Sequence, residues 1–243
     1  MLPERPVHLR EFMDETDIAA RDLRSNLRFI RWVNRRLGGT RAVLDYLRAW
    51  SVRWPQTAEP IRIVDVATGS ADIPEAIFAW SARQPRKVEI IALDIHAGTL
   101  AIARSWCRAR PEMAFIQADA LQLPFADGSV DYAISSMFLH HLADAQAAAV
   151  VAQLVRISRR GVIVNDLLRD PHALLWVKIM TLFASRTIKY DARLSIRKGW
   201  TLPEAMAWAT SARAPWLTCR EHLFARLTLA GERPEHQLAG PKL

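Results

Sequence analysis

Apolar positions near the start of the chain recur at helical spacing. Leu23, Leu27, Ile30, Val33 and Leu37 share one stripe, which predicts an amphipathic helix over residues 18–37. Arg21, Arg24, Arg28, Arg31 and Arg35 fall roughly opposite that stripe. Gly38-Gly39 is a stop signal, and Thr40 is placed to cap a second helix running to about Ser51. Trp54-Pro55 and Glu59-Pro60 make a short linker. Beyond Pro60 the texture changes to short apolar runs at 61–66, 88–93, 113–117, 130–137 and 161–164. Such runs suit strands buried on both faces. Helical patterns at 71–83, 97–108 and 145–158 separate them. Strands alternating with helices predict βαβ units and a parallel sheet. The tail differs. Residues 171–186 read as an apolar helix and 190–200 as a polar loop. Thr201-Leu202-Pro203-Glu204 is a capping box opening a helix to about Ala212. Residues 216–220 and 223–230 then read as a terminal hairpin, and the last ten residues as a frayed tail.

Composition narrows the classes. The chain has 243 residues, about half of them hydrophobic, which suffices for a sizeable core. The first fourteen residues carry Glu4, Arg5, Arg10 and Glu11 and show no secretory pattern. No uninterrupted apolar run reaches the roughly 18 residues a spanning helix needs. The expectation is a cytoplasmic protein. Cys107 and Cys219 lie far apart without histidine company and read as ordinary thiols rather than a metal site. The formal net charge of +8 admits nucleic acid, an anionic membrane surface or an acidic ligand as partner.

The chemistry gathers at the strand ends. Residues 63–72 read Ile-Val-Asp-Val-Ala-Thr-Gly-Ser-Ala-Asp: a strand, a tight turn of small residues and a helix start. Such a turn lets a ligand approach the backbone. Asp94 ends the second strand, where a carboxylate commonly accepts ribose hydroxyls, and Asp119 follows the third. Asp65, Asp72, Asp94 and Asp119 thus fall in successive βα units around the crevice where open α/β sheets bind ligands. Their charge separates two cofactors. A pyrophosphate favours a glycine-rich helix start and is repelled by carboxylates. S-adenosylmethionine carries a sulfonium and an ammonium, which an acid-rimmed crevice attracts. The G-x-G-x-x-G pattern is also absent, with Ala67 and Ala71 where glycine would be expected.

Residues 65–72 resemble the first cofactor motif of class I methyltransferases, particularly the quinone-biosynthesis group, which reads D-V-A-G-G-T-G-D. Asp65, Val66, Ala67, Gly69 and Asp72 match it; Thr68 and Ala71 replace glycines and Ser70 replaces threonine. Ile91-Ala92-Leu93-Asp94 resembles the second motif. Asp119-Ala120 followed by Leu123-Pro124-Phe125 and Asp131 resembles the stretch G-D-A-x-x-L-P-F-x-x-x-x-F-D. The resemblance covers about residues 61–166, and the terminal hairpin more loosely. It implies a doubly wound, mostly parallel seven-stranded sheet with a Rossmann-like methyltransferase fold. An N-terminal helical lid would occupy 1–55, the S-adenosylmethionine-binding domain 56–233 and a flexible tail 234–243. It implies cofactor contacts from Asp65, Ala67, Thr68, Gly69, Asp72, Asp94, Ile95, Asp119, Ala120 and Ser135, with Asp119 and the next amide at adenine. The methyl of Ala71 would slightly crowd the methionyl tail.

Methyl transfer from a sulfonium needs alignment above all, and a base only for a protonated nucleophile. His140 and His141, past the fourth strand, and Asp166, past the fifth, are the candidate catalytic residues; no metal ligands are assigned. Trp176, Ile179, Met180 and Phe183 could line an acceptor pocket, and Tyr190, Asp191 and Arg197 are weaker substrate candidates. The expected acceptor is a hydrophobic small molecule such as a phenol, quinol or polyketide-like compound, methylated on oxygen or carbon. The basic stripe of the first helix could touch anionic lipid. Nucleic acid is disfavoured: Ser135-Ser136-Met137-Phe138 resembles no nucleobase-methylating motif, and aromatic-basic interleaving is sparse. The competing readings are an NAD(P)-dependent oxidoreductase and a non-catalytic binding protein of the same fold.

Overall fold

The computed structural model describes residues 4–12, 19–107 and 113–237. The expected helix positions Ile18 and Arg108, and the tail beyond 237, lie outside them. Seven strands form one sheet: β1 (Ile61–Val66), β2 (Val88–Asp94), β3 (Met113–Gln117), β4 (Val130–Ser136), β5 (Ser158–Leu167), β6 (Thr218–His222) and β7 (Arg226–Glu232). Their order is β3-β2-β1-β4-β5-β7-β6. The first five are parallel; β7 runs antiparallel beside β5, and β6 antiparallel beside β7. The order reverses between β1 and β4, where a crevice must open beyond the strand ends.

Nine helices among the described residues flank this sheet: α1 (Ala20–Arg36), α2 (Gly39–Ser51), α3 (Asp72–Ser81), α4 (Ala97–Trp106), α5 (Asp144–Ile157), α6 (Pro171–Met180), α7 (Arg186–Lys198), α8 (Leu202–Ser211) and the single turn α9 (Pro234–Gln237). The core has one layer per face. Val43, Leu47 and Trp50 of α2 join Ile73, Ile77 and Ala103 against one face. Leu154 of α5 and Trp208 of α8 pack against the other. Helix α2 is therefore a layer of the sandwich, whereas α1 lies across α2, α3 and α4.

Several expectations are corrected. Thr40 does not cap α2. Gly38 takes that place at φ +82°, and Gly39 is the first helical residue. A Cβ on Gly39 would stand 2.6 Å from Asn34 Oδ1, so any side chain there would force the hydrogen-bonded Asn34 and Arg226 side chains to shift. The apolar helix from Pro171 stops at Met180 rather than Arg186. The expected polar loop at 190–200 is most of α7, whose Ser185 hydroxyl caps the Ile188 amide. Strand β5 is ten residues long and carries Arg159 and Arg160, which a search for apolar runs passes over. Asp166 consequently lies inside β5 rather than beyond it. The arginines of α1 do not all face away: Arg31 pairs with Glu75 at 2.6 Å and donates to the Ser70 carbonyl.

Candidate functional site

Two cavities meet at the carboxyl ends of the strands. The first, about 340 Å³, is the strand-tip crevice. The turn after β1 shapes it through three residues in the left-handed region: Ala67 at φ +58°, Gly69 at +54° and Ala71 at +55°. For alanine that conformation costs roughly 1–2 kcal/mol, so the surrounding packing enforces it. The strain exposes backbone to the crevice. It does not push a methyl into it, because Ala71 is fully buried in the core beside Ile73 and Ile77. The expected crowding of the methionyl tail by Ala71 is thereby overturned.

Four acids converge as expected: Asp65, Asp72, Asp94 and Asp119 all line the crevice. Asp65 accepts a hydrogen bond from the Thr68 hydroxyl at 2.6 Å on Oδ2, while its buried Oδ1 has no hydrogen-bond partner. Burial pushes this carboxyl up to about 7, against the Thr68 bond and helped by Asp72 and Asp94. An orphaned, buried carboxylate oxygen suits a cationic ligand. Asp94 is pinned by the amides of Gly69 and His96, each at 3.0 Å, and burial raises its carboxyl above the ordinary range despite those bonds. Asp72 is tied to α1 through the Asn34 amide at 3.0 Å. Asp119 accepts from the Leu121 amide at 2.8 Å. Ala67, Thr68, Gly69, Ile95 and Ala120 also line the crevice. Ser135 does not: it is fully buried and donates to the Val66 carbonyl, and Ser136 takes the lining position. Leu23, Leu27 and Ile30 of α1 form the opposite wall. The crevice thus offers acids for a sulfonium, an ammonium and ribose hydroxyls, and it fits S-adenosylmethionine.

The second cavity, about 370 Å³, is predominantly apolar. Helices α1, α6 and α7 wall it, and Ile30, Met137 and His141 line both cavities. Met137 bridges them from a left-handed backbone at φ +58°. His140 and His141 sit in a 3-10 turn, Leu139–His141, after β4. His140 Nδ1 lies 2.6 Å from Asp166 Oδ1, and Asp166 Oδ2 accepts the His140 amide. Burial would raise the Asp166 carboxyl, yet the His140 charge and hydrogen bond outweigh it and hold it below its ordinary value. Asp166 is fully buried and orients His140, which itself lines the cavity. Of the apolar-helix candidates Trp176 and Met180 line the cavity, whereas Ile179 and Phe183 face outward. Asp191 lines it and accepts the Phe12 amide; Tyr190 and Arg197 are not among its walls.

Three charged residues at or beside the apolar cavity were not legible in the sequence as site candidates. Glu11 lines the apolar cavity, with Oε1 4.0 Å from His140 Nε2 and 3.9 Å from His141 Nδ1. These three could together ligate a metal, but the Lys198 ammonium, 3.7 Å from the same oxygen, already supplies a positive charge. Arg5 fixes the segment that carries Glu11. It stacks 3.2 Å from the Trp200 ring centroid and donates to the Lys198 and His140 carbonyls. Arg226 is a fully buried cation in the cavity wall, donating to Asn34 Oδ1 and the Leu37 carbonyl; burial lowers it to about 10. Each is joined to partners more than half the chain away, and no local pattern marks such a residue.

A seven-stranded sheet of this order with an acid-rimmed crevice defines the class I methyltransferase fold. Residues 63–161 match the family described as a methyltransferase domain, and the sheet around them has the Rossmann-like methyltransferase fold. A demethylmenaquinone methyltransferase of Thermus thermophilus is 36% identical over 103 residues, covering 42% of this chain and 44% of that one. A demethylmenaquinone methyltransferase of Paenarthrobacter aurescens is 26% identical over 184 residues, covering 74% and 68%. The chain spans less than half the length of the first of these relatives. Among solved structures, the plantazolicin methyltransferase BpumL in complex with SAH superposes with a TM-score of 0.64 at 13% identity, covering 91% of this chain and 92% of that one. Magnesium protoporphyrin IX methyltransferase of Synechocystis PCC 6803 does so with 0.58 at 14% identity, covering 88% and 97%.

Proposed function

We propose that the protein transfers a methyl group from S-adenosylmethionine to an oxygen or carbon of a hydrophobic small molecule, phenol-, quinol- or polyketide-like, held in the apolar cavity. The observation that carries this reading is the junction at Ile30, Met137 and His141, where an acid-rimmed crevice opens onto an apolar one. S-adenosylmethionine supplies an electrophilic methyl whose leaving group is a neutral thioether. Asp65 and Asp72 hold its cationic tail, Asp94 the ribose, and Asp119 with the Ala120 amide the adenine. Helix α1 acts as the lid, its apolar stripe closing both cavities. His140, with Nδ1–H donated to Asp166, presents Nε2 to the cavity and takes the acceptor's proton as the new bond to carbon forms. Arg226 lies where it would favour the negative charge that develops on the acceptor as that proton leaves.

A labelled-methyl assay over phenols, quinols, polyketides and lipids tests the reading, and an acceptor saturating at low concentration would establish it. Calorimetry with S-adenosylhomocysteine and NADH tests the cofactor. Tight NADH binding without response to the thioether would replace it with the oxidoreductase reading.

A further inference from the structure

Helix α6 buries none of its ten residues fully. Ala173, Trp176, Val177 and Met180 form cavity wall on one side. The other side is open: Leu175 is 61% exposed and Ile179 64%. The turn that follows adds Leu182 at 57% and Phe183 at 97%. The β6–β7 hairpin tip stands at the cavity-wall side of this helix, since Phe224 packs on Trp176 with ring centroids 5.6 Å apart, and Leu223 beside it is 81% exposed. Phe224 and Ala225 hold that tip in the left-handed region at φ +62° and +51°. Apolar side chains left this exposed on α6, its turn and the hairpin tip suit contact with an apolar layer.

The charge of the surroundings says what makes that contact. Over 170–198, α6, its turn and α7 carry Lys178, Arg186, Lys189, Arg193 and Arg197 at least partly exposed, against Asp170 at the α6 N-cap; Asp191 and Lys198 are both buried. Across the same cavity α1 exposes Arg28 and Arg35. An apolar tip with basic residues about it matches the two layers of a bilayer with anionic headgroups: acyl chains for the rings, phosphates for the cations. A protein partner would ask for no such excess of one sign.

We propose that α6, the turn at 181–184 and the hairpin tip dock on an anionic lipid surface, so that the apolar cavity opens toward the bilayer. The surface assigned from sequence to the α1 stripe is then centred on α6, with α1 at its margin. Docking stands independently of the methyl-transfer reading, because binding to vesicles requires no turnover.

The test is flotation of the full-length protein with vesicles of phosphatidylcholine alone or mixed with phosphatidylglycerol. The expected result is binding to the mixed vesicles only, weakened by salt. The double variant Ile179→Ser/Phe183→Ser is expected to bind roughly tenfold more weakly while keeping the wild-type melting temperature and response to S-adenosylhomocysteine. Neither residue lines a cavity. Equal binding of variant and wild type would overturn the proposal. So would absence of vesicle binding together with a concentration-dependent dimer that the same variant abolishes, since a second copy would then cover this face.

Discussion

Asp65 shows how one residue couples ligand binding to pH. Its carboxyl is raised to about 7 in the folded protein, above its unfolded value, because burial disfavours the charge. Stability associated with the neutral form is therefore present at low pH and declines as pH rises through about 7. A bound sulfonium and ammonium favour the carboxylate, so affinity for S-adenosylhomocysteine and S-adenosylmethionine is expected to rise with pH through that range, with proton release. Calorimetry in two buffers of different ionisation enthalpy reads the released proton; Asp65→Asn should abolish both effects. Asp94→Ala and Asp119→Ala should each weaken the cofactor by roughly 1–3 kcal/mol. Asp94→Ala should also lower the melting temperature, because it strands the Gly69 and His96 amides. At the other cavity, His140→Ala and Asp166→Asn are expected to slow turnover of a protonated acceptor by about 10²–10⁴-fold. Cofactor affinity should persist, since neither residue lines the crevice. Unimpaired turnover in both variants would remove the base assignment.

Helices α1 and α7 show what patterning can and cannot reveal. The stripe of α1 was plain from Leu23 to Leu37, yet only Leu27 among its apolar residues is buried, because the stripe faces two cavities rather than a core. Helix α7 escaped notice for the converse reason. Its cavity face presents Ile188, Asp191, Ala192, Ser195 and Ile196, at proper helical spacing but with Asp191 and Ser195 polar and Ala192 small. A helix selected to line a site loses the apolar count by which helices are found. The strands β1 and β3 were legible to the residue because short, mostly apolar runs mark them, even though Arg62 in β1 and Ala114 and Gln117 in the edge strand β3 are exposed. The α1–α2 corner offers a prediction at this scale. Gly39→Ala would bring a methyl 2.8 Å from Arg226 Cζ as well as against Asn34. It should destabilise by roughly 1–3 kcal/mol and raise the acceptor KM more than the cofactor's. Equal changes in both would show that α1 does not gate the apolar cavity.

For the molecule as a whole, closing α1 over a bound cofactor should register as stability. At a hundred times its Kd, S-adenosylhomocysteine is expected to add about 2.7 kcal/mol, raising the melting temperature by roughly 5–10 °C. The same shift with NADH instead would count against the fit of the crevice. The strand-tip crevice is built mainly from residues 65–142, and the matched methyltransferase stretch, 63–161, contains them. The apolar cavity takes its walls from residues 11–37 and 167–226, with only Met137, His140 and His141 from between. Arg5, stacked on Trp200, fastens the two flanks to each other. On the proposed reading the gene is partitioned: an interior segment supplies the acids of the donor's seat, while the two outer segments, brought together only in the finished fold, would supply the recipient's, with α1 walling both. Grafting both flanks of a relative onto this interior should transplant the choice of recipient and shift the donor's affinity only as far as the α1 wall differs, whereas exchanging one flank alone should yield a protein that binds the donor and methylates neither parent's compound.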